Sequence, residues 1–161
     1  MGEGPLEFHL VAGIRVTAIR AVGFLKGDKG LTAWAGFESL KPNRRRLILD
    51  SMDAWVGGSI DIGKRFHGWH SDSDPRVREC FVFKAREGNV GHRLYGFLYH
   101  PVLKNPAFVV CGLVSYAIKT ARESDRAELL HAVAWGKRAY VVNLISEALA
   151  RNEKHKTGGV G

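Results

Sequence analysis

Hydrophobic and polar residues alternate in two runs within residues 77–100, and a polar turn containing a glycine separates the runs. Such a pattern predicts an antiparallel β-hairpin. Successive side chains of a strand point to opposite faces, and opposed residues of an antiparallel pair share a face. One face of the hairpin is therefore predicted to be buried and to carry Phe81, Phe83, Leu94 and Leu98. The other face would bring together Lys84, Arg86, Arg93 and Tyr95.

The second face of this hairpin is a candidate binding surface. Three fixed cations beside a phenol suit the phosphate groups of a nucleic acid. Exposed lysine and arginine are also common on ordinary solvated sheets. The pattern leaves both interpretations open.

The remaining hydrophobic pattern predicts an α+β fold with a small, mostly antiparallel sheet. Further strands are expected at residues 14–25, 65–69 and 108–117. The last of these is apolar on both faces, which is typical of a central strand. Two N-terminal helices, at residues 30–40 and 43–56, are expected to pack on one face of the sheet, with Asn43 capping the second.

A long C-terminal helix is expected from Ser124 or Asp125 to about residue 152. At ~1.5 Å per residue it would exceed ~35 Å, which is longer than a small domain can cover. Its distal apolar stripe consists of Val141, Leu144, Ile145 and Leu149. We expect this stripe to pack on a second copy, giving a homo-oligomer, or on another partner. The alternative is a break near Gly136 that folds the stripe back onto the first two helices.

The predicted domain organisation is one α+β domain at residues 14–152. A flexible lead would precede it at residues 1–13, and a disordered tail would follow at residues 153–161. A chain of 161 residues with 45% hydrophobic content has room for one such core.

The charge balance favours a polyanionic partner. Lysine and arginine number 24 against 16 acidic residues, for a formal charge of +8. RNA, DNA or an acidic protein would fit this charge, and general solubility is the alternative. Arg44, Arg45 and Arg46 add to the first interpretation, because they lie in the first turn of a predicted helix, where the helix dipole disfavours cations. A solvated helix end would explain them as well.

Metal, redox and membrane chemistry receive little support from the sequence. His67, His70, Asp72 and Asp74 lack a recognised ligand spacing, so a polar loop explains them more simply and no metal or cofactor is expected. Cys80 and Cys111 fall in predicted strands and are expected to be reduced core thiols. No run approaches the ~20 apolar residues of a membrane span, and the N-terminus lacks secretory features. A soluble, cytoplasmic protein is expected.

Two segments resemble the RelE/HigB-like toxin superfamily, particularly its phage-derived branch. The first, FKAREGNVGHRLYGFLYH, is similar to the family's basic strand end, turn, arginine and alternating aromatics. The second, LVSYAIKTARESDRAEL, is similar to its leucine, aromatic and basic-threonine-basic run before an acid-rich helix. Residues 40–46 resemble the opening of the family's second helix. The resemblance covers roughly residues 16–135 and implies a RelE-like fold.

The resemblance implies a metal-independent endoribonuclease, or mRNA interferase, that often cleaves ribosome-bound mRNA and is neutralised by a cognate antitoxin. In this chemistry the 2′-hydroxyl of the RNA attacks the adjacent phosphate, while protein groups transfer protons and stabilise charge. By the resemblance, Lys84, Arg86 and Arg93 hold the phosphate. Proton transfer falls to Tyr95 or His92, although strand alternation points His92 away from Lys84.

The resemblance also implies that Lys119 is a phosphate contact on the loop after the central strand. The predicted RNA-binding set consists of Lys119, Arg122, Arg44, Arg45 and Arg46. The alternative function is a basic module of phage or mobile-element origin that binds nucleic acid or protein on the same scaffold without cleavage. A third class, a structural or oligomerising protein, would rest on the long C-terminal helix.

Overall fold

Six strands form one mixed sheet in a computed structural model that describes residues 5–59, 65–101, 108–120 and 125–158, with side chains as far as residue 153. The strands are β1 (Glu7–Leu10), β2 (Arg20–Lys26), β3 (Phe66–Gly68), β4 (Cys80–Glu87), β5 (Val90–Tyr99) and β6 (Val109–Lys119). Their order across the sheet is β1-β2-β6-β5-β4-β3. β2 and β6 are parallel, and the other neighbours are antiparallel.

Four α-helices and one short 3₁₀ helix accompany the sheet in the described part of the chain. They are α1 (Ala33–Ser39), α2 (Pro42–Val56), the 3₁₀ helix Pro75–Val77, α3 (Arg126–Gly136) and α4 (Ala139–Gly158). The α+β class is confirmed. The predicted layout of two N-terminal helices and one long C-terminal helix fits poorly, because two strands precede α1 and the C-terminal helix is broken.

Both faces of the sheet are buried, so the fold has two apolar cores. α1 and α2 cover one face, where Ile48, Met52 and Trp55 pack on strand residues such as Phe24 and Phe83. α3 and α4 cover the other face, as shown by the cluster that contains Val82, Tyr95, Phe97, Val110, Leu129, Val133 and Val141. β6 lies between β2 and β5, which confirms the prediction of a central strand.

The predicted flexible lead contains a strand. Glu7–Leu10 pairs with β2, and the Phe8 side chain is only 2% exposed. The ring of Phe8 lies over Gly23, where an added Cβ would overlap it. Four residues are too few for hydrophobic alternation to distinguish from an irregular segment.

The single long C-terminal helix is also a wrong prediction. α3 ends at Gly136, Lys137 is its C-cap, and α4 starts at Ala139. An added Cβ at Gly136 would overlap the Phe97 ring, so glycine permits the close approach of the helix end to β5. The end of α4, at Gly158, extends into the segment predicted as a disordered tail, whose last three residues lie outside the described part.

The break in the C-terminal helix buries the distal stripe inside the chain. Val141 and Ile145 are fully buried, and α4 packs against β1 and α3. The expected exposure of this stripe is therefore wrong. The fold-back alternative is correct about the break, but α4 lies on the sheet face opposite α1 and α2.

The helix caps agree only in part with their predictions. Pro42 occupies the first turn of α2 and Lys41 is the N-cap, so Asn43 does not cap this helix. A proline suits this position because its missing N–H would have no partner there. Asp125 caps α3 as predicted, since its carboxylate accepts a 3.0 Å hydrogen bond from the backbone N–H of Ala127.

Replacement of Ile145 by alanine is expected to lower the free energy of unfolding by about 2–5 kcal/mol, because it removes a fully buried side chain from a packed core. Chemical denaturation of the full chain measures this change. Asn143→Ala is the matched control, because Asn143 is an exposed residue of the same helix. Equal stability of the two variants would contradict the burial of the α4 stripe.

Candidate nucleic-acid interface

The hairpin has the predicted division of residues between its two faces. Lys84 lies opposite Arg93 and Phe83 lies opposite Leu94, so the basic and apolar residues separate onto opposite faces. Gly88 has a φ of 61°, which suits the first central position of a two-residue hairpin turn. The basic face belongs to the side of the sheet covered by α3 and α4.

Most of the described residues of the predicted site lie at one end of the sheet, which we call the hairpin end. It contains the turn between β4 and β5, the last residues of β6 and the start of α2. Lys119 pairs with Gly91, which is itself opposite Arg86. From the other side of the sheet, Lys41 Nζ lies 3.1 Å from Glu87 Oε2. Arg122 lies outside the described residues.

On the α3 side of the hairpin end, two predicted catalytic residues are buried. Tyr95 is fully buried and Arg93 is 7% exposed, and Arg93 Nη1 donates a 3.2 Å hydrogen bond to the Tyr95 hydroxyl. In this arrangement Tyr95 has no surface from which to reach a substrate. Alternation had placed both residues on the basic face, but it does not indicate which part of that face a helix covers.

The other basic residues on this side are more accessible. Lys84 is half-buried and Arg86 is exposed. Lys119 Nζ forms a 2.9 Å ion pair with Glu128 Oε1, and this hydrogen bond raises the pKa of Lys119. These cations can hold phosphate groups that pass over the rim of the sheet.

On the opposite side of the hairpin end, His92 forms a network with Glu87 and Tyr116, called here the His92 network. Its Nδ1 lies 2.7 Å from the Tyr116 hydroxyl, and its Nε2 lies 3.3 Å from Glu87 Oε1. A carboxylate only accepts hydrogen bonds, so the Nε2 proton points to Glu87. Nδ1 of the neutral ring is then the acceptor for the Tyr116 hydroxyl. His92 faces away from Lys84, as alternation predicted.

Two cations, Lys41 and Arg44, lie beside the Glu87 carboxylate of the His92 network. The hydrogen bond from Lys41, followed by that from His92, lowers the pKa of Glu87. Arg44 Nε lies 3.9 Å from Glu87 Oε2, is buried, and has no hydrogen-bond partner in the described part of the chain. Burial, and then the charge of Glu87, raises the pKa of Tyr116, so this phenol keeps its proton at neutral pH.

The other arginines of α2 are paired with acidic residues. Arg45 Nη1 lies 3.6 Å from Glu38 Oε2, and Arg46 Nε lies 3.4 Å from Asp50 Oδ1. The Arg46 side chain is 76% exposed. This arrangement agrees with the solvated-helix alternative for Arg46, whereas Arg44 belongs to the site.

Hydrophobic patterning did not point to Glu87, Tyr116 or Lys41. Tyr116 falls in a strand that is apolar on both faces, where an aromatic residue is expected to be core. Strand alternation could have pointed to Glu87, because it places Glu87 and His92 on the same face of the hairpin. The contact between Tyr116 and His92 depends on the register between β5 and β6. The sequence of either strand alone does not specify this register.

The two aspartates considered for metal binding hydrogen-bond within the chain. Asp72 accepts a 2.8 Å hydrogen bond from the backbone N–H of Asp74. The Arg76 guanidinium hydrogen-bonds Asp74 and lowers its pKa to about 2. No group of three or more potential metal ligands occurs among the residues that the structure describes. Cys80 and Cys111 are buried and unpaired, as predicted.

None of the helices in the described ranges is long and apolar enough to cross a membrane. Comparison with protein-family models, with curated proteins and with solved structures finds no match for this chain.

Proposed function

We propose that this protein binds single-stranded RNA at the hairpin end and cleaves it without a metal ion, in the manner of the RelE/HigB-like toxins that the sequence resembles. The observation that carries the proposal is the His92 network, which lies beside Lys41 and Arg44. It combines groups that transfer protons with cations that attract a phosphate. RNA supplies its own nucleophile, so the protein needs little else.

In the proposed mechanism Tyr116 accepts the proton of the 2′-hydroxyl while its own proton passes to His92 Nδ1. The imidazolium that forms is stabilised by the Glu87 carboxylate at 3.3 Å. The low pKa of Glu87 supports this role, since the carboxylate remains charged. The leaving 5′-oxygen takes a proton from water, and the hydroxide that forms takes the extra proton of the His92 imidazolium.

The cations of the hairpin end have a separate role in the proposal. The Arg44 side chain is 24% exposed, so the accessible part of its guanidinium would donate to a phosphate oxygen. Lys41 adds an accessible charge, because its side chain is 73% exposed. Lys84, Arg86 and Lys119 would hold the flanking phosphates on the α3 side. Arg93 and Tyr95 would support this surface from beneath.

The resemblance also implies a cellular target and a partner protein for this activity. A toxin of this kind acts on cellular mRNA in the cytoplasm, on or off the ribosome, and is controlled by a cognate antitoxin. The surplus of positive charge is suited to an acidic antitoxin segment that covers the same surface as the RNA.

A second candidate function is RNA binding without cleavage. It is favoured by the burial of Tyr95 and by the 9% exposure of His92, whose two nitrogens both have partners within the fold. A basic module of phage or mobile-element origin would need only the cations.

Incubation with end-labelled single-stranded RNA in the presence of EDTA is expected to yield fragments that end in a 2′,3′-cyclic phosphate. Mass spectrometry of the products identifies this end. The matched substrate is the same RNA with 2′-O-methyl groups, which binds but lacks the nucleophile. RNA that is retarded in a gel and remains intact would reject cleavage and support the second candidate function.

A further inference from the structure

A cleft of about 350 Å³ lies at the end of the sheet opposite the hairpin turn. It opens between the end of α2, the start of β2 and the end of β5. Its lining includes Arg20, Trp55, Ser59, His70, Arg78 and Leu98. α2 separates it from the hairpin end, and the 15 residues of this helix span ~22 Å. The cleft is therefore distinct from the proposed RNA-cleaving site.

Two arginines in the cleft have no carboxylate partner in the described part of the chain. Arg20 Nη1 donates hydrogen bonds of 2.7 Å to the carbonyl of Trp55 and 3.3 Å to that of Ser59. Arg78 Nε donates a 2.9 Å hydrogen bond to the carbonyl of Asp72. Backbone carbonyls orient these guanidinium groups but do not neutralise them. Desolvation lowers the pKa of Arg20, because burial disfavours the charged form.

One wall of the cleft is buried and apolar. Trp55 is 4% exposed, and its ring packs 5.2 Å from that of Phe81. Gly68 has no side chain to fill the space, and a Cβ there would come 3.1 Å from the Phe81 ring. Leu98, which is half-buried, completes an apolar surface beside the two arginines.

A cleft of this kind suits a ligand with one anionic group and one flat, apolar ring system. Its volume lies at the lower end of the range for small-molecule sites, ~300–1,000 Å³, and a mononucleotide is of suitable size. Arginine is well matched to phosphate, because its planar fork can donate two parallel hydrogen bonds. Ser59 and His70 offer polar contacts for the remainder of the ligand.

We propose that this cleft binds a nucleoside monophosphate, with the phosphate between Arg20 and Arg78 and the base against the apolar wall at Gly68 and Leu98. The site is independent of the hairpin end, so it can be occupied with or without RNA bound there. A free mononucleotide and the 5′-terminal nucleotide of an RNA share this chemistry. The two sources differ only at the 3′-oxygen of the sugar, which carries a proton in the first and the next phosphate in the second.

Calorimetric titration of the full-length protein with AMP, adenosine and inorganic phosphate tests the proposal. AMP is expected to bind at least ~10-fold more tightly than either fragment, because only AMP engages both the arginines and the apolar wall. A dinucleotide that carries a 5′-phosphate tests whether the cleft also accepts the 5′-terminal nucleotide of an RNA. Binding at the affinity of AMP extends the site to RNA ends, whereas weaker binding assigns the site to free nucleotides.

Arg78→Ala is expected to weaken AMP binding at least ~10-fold, since it removes a charge-assisted contact, and Arg78→Lys is expected to recover part of the loss. Arg76→Ala is the matched control, because Arg76 is an exposed neighbour that pairs with Asp74. RNA binding at the hairpin end should be unchanged in all three variants. Phosphate that binds as tightly as AMP, equal losses in Arg78→Ala and Arg76→Ala, or no heat with AMP at millimolar concentration would each overturn the proposal.

Discussion

Replacement of Tyr116 by phenylalanine is expected to slow RNA cleavage by at least ~100-fold, because it removes the group that exchanges protons with the 2′-hydroxyl. RNA affinity should stay close to that of the unaltered protein, since the surrounding cations remain. The hydroxyl lies 2.7 Å from His92 Nδ1, so its loss leaves that nitrogen without its partner. Single-turnover cleavage with protein in excess measures the chemical step, and a filter-binding titration measures affinity separately.

Tyr140→Phe is the matched control, because Tyr140 lies on α4 and is 49% exposed. Its cleavage rate should equal that of the unaltered protein. Thermal melting of both variants shows whether the fold is retained. A Tyr116→Phe protein that is folded and cleaves at the full rate would remove Tyr116 from the mechanism.

A rise in salt from about 50 to about 200 mM is expected to reduce the affinity for single-stranded RNA about 100-fold, if about five phosphates are neutralised. The cations available for these contacts are Lys41, Arg44, Lys84, Arg86 and Lys119. Each neutralised phosphate releases condensed counterions, and this release is less favourable in concentrated salt. The slope of log affinity against log salt concentration gives the number of contacts.

Arg86→Gln should make this slope shallower by about 0.7, because it removes one phosphate contact. Arg15→Gln is the control, since Arg15 pairs with Asp53 near the end of α2, away from the hairpin end. Both substitutions remove one charge, so a difference between them depends on position. An affinity that stays constant as salt rises would contradict an electrostatic interface and favour an apolar protein partner.

Local patterns were sufficient to predict the hairpin and the residues on each of its faces. Phe83 pairs with Leu94, and the antiparallel register then places Lys84 opposite Arg93. A break near Gly136 was only the alternative expectation, because the local pattern does not decide between one helix and two. Gly136 lies close to Phe97, and these residues come from a helix and a strand far apart in the sequence.

In the candidate site, too, some features follow from the local sequence and others depend on tertiary packing. The cations at the hairpin end follow from alternation, but the burial of Tyr95 follows from the position of α3. The His92 network joins β4, β5 and β6, so it exists only when all three strands are in register. The sequence pointed to His92 but not to Glu87 or Tyr116.

The two cysteines lie in different cores, so they can be used to follow the unfolding of each core separately. Cys80 belongs to the core beneath α3 and α4, and Cys111 belongs to the core beneath α1 and α2. Burial raises the pKa of Cys80 to about 12 and raises that of Cys111 as well. Alkylating reagents attack the thiolate, so both residues are unreactive until water enters their core. Each of the two cores therefore contains one natural cysteine that can be labelled only after that core opens. The order in which the two thiols become labelled gives the order in which the two cores open.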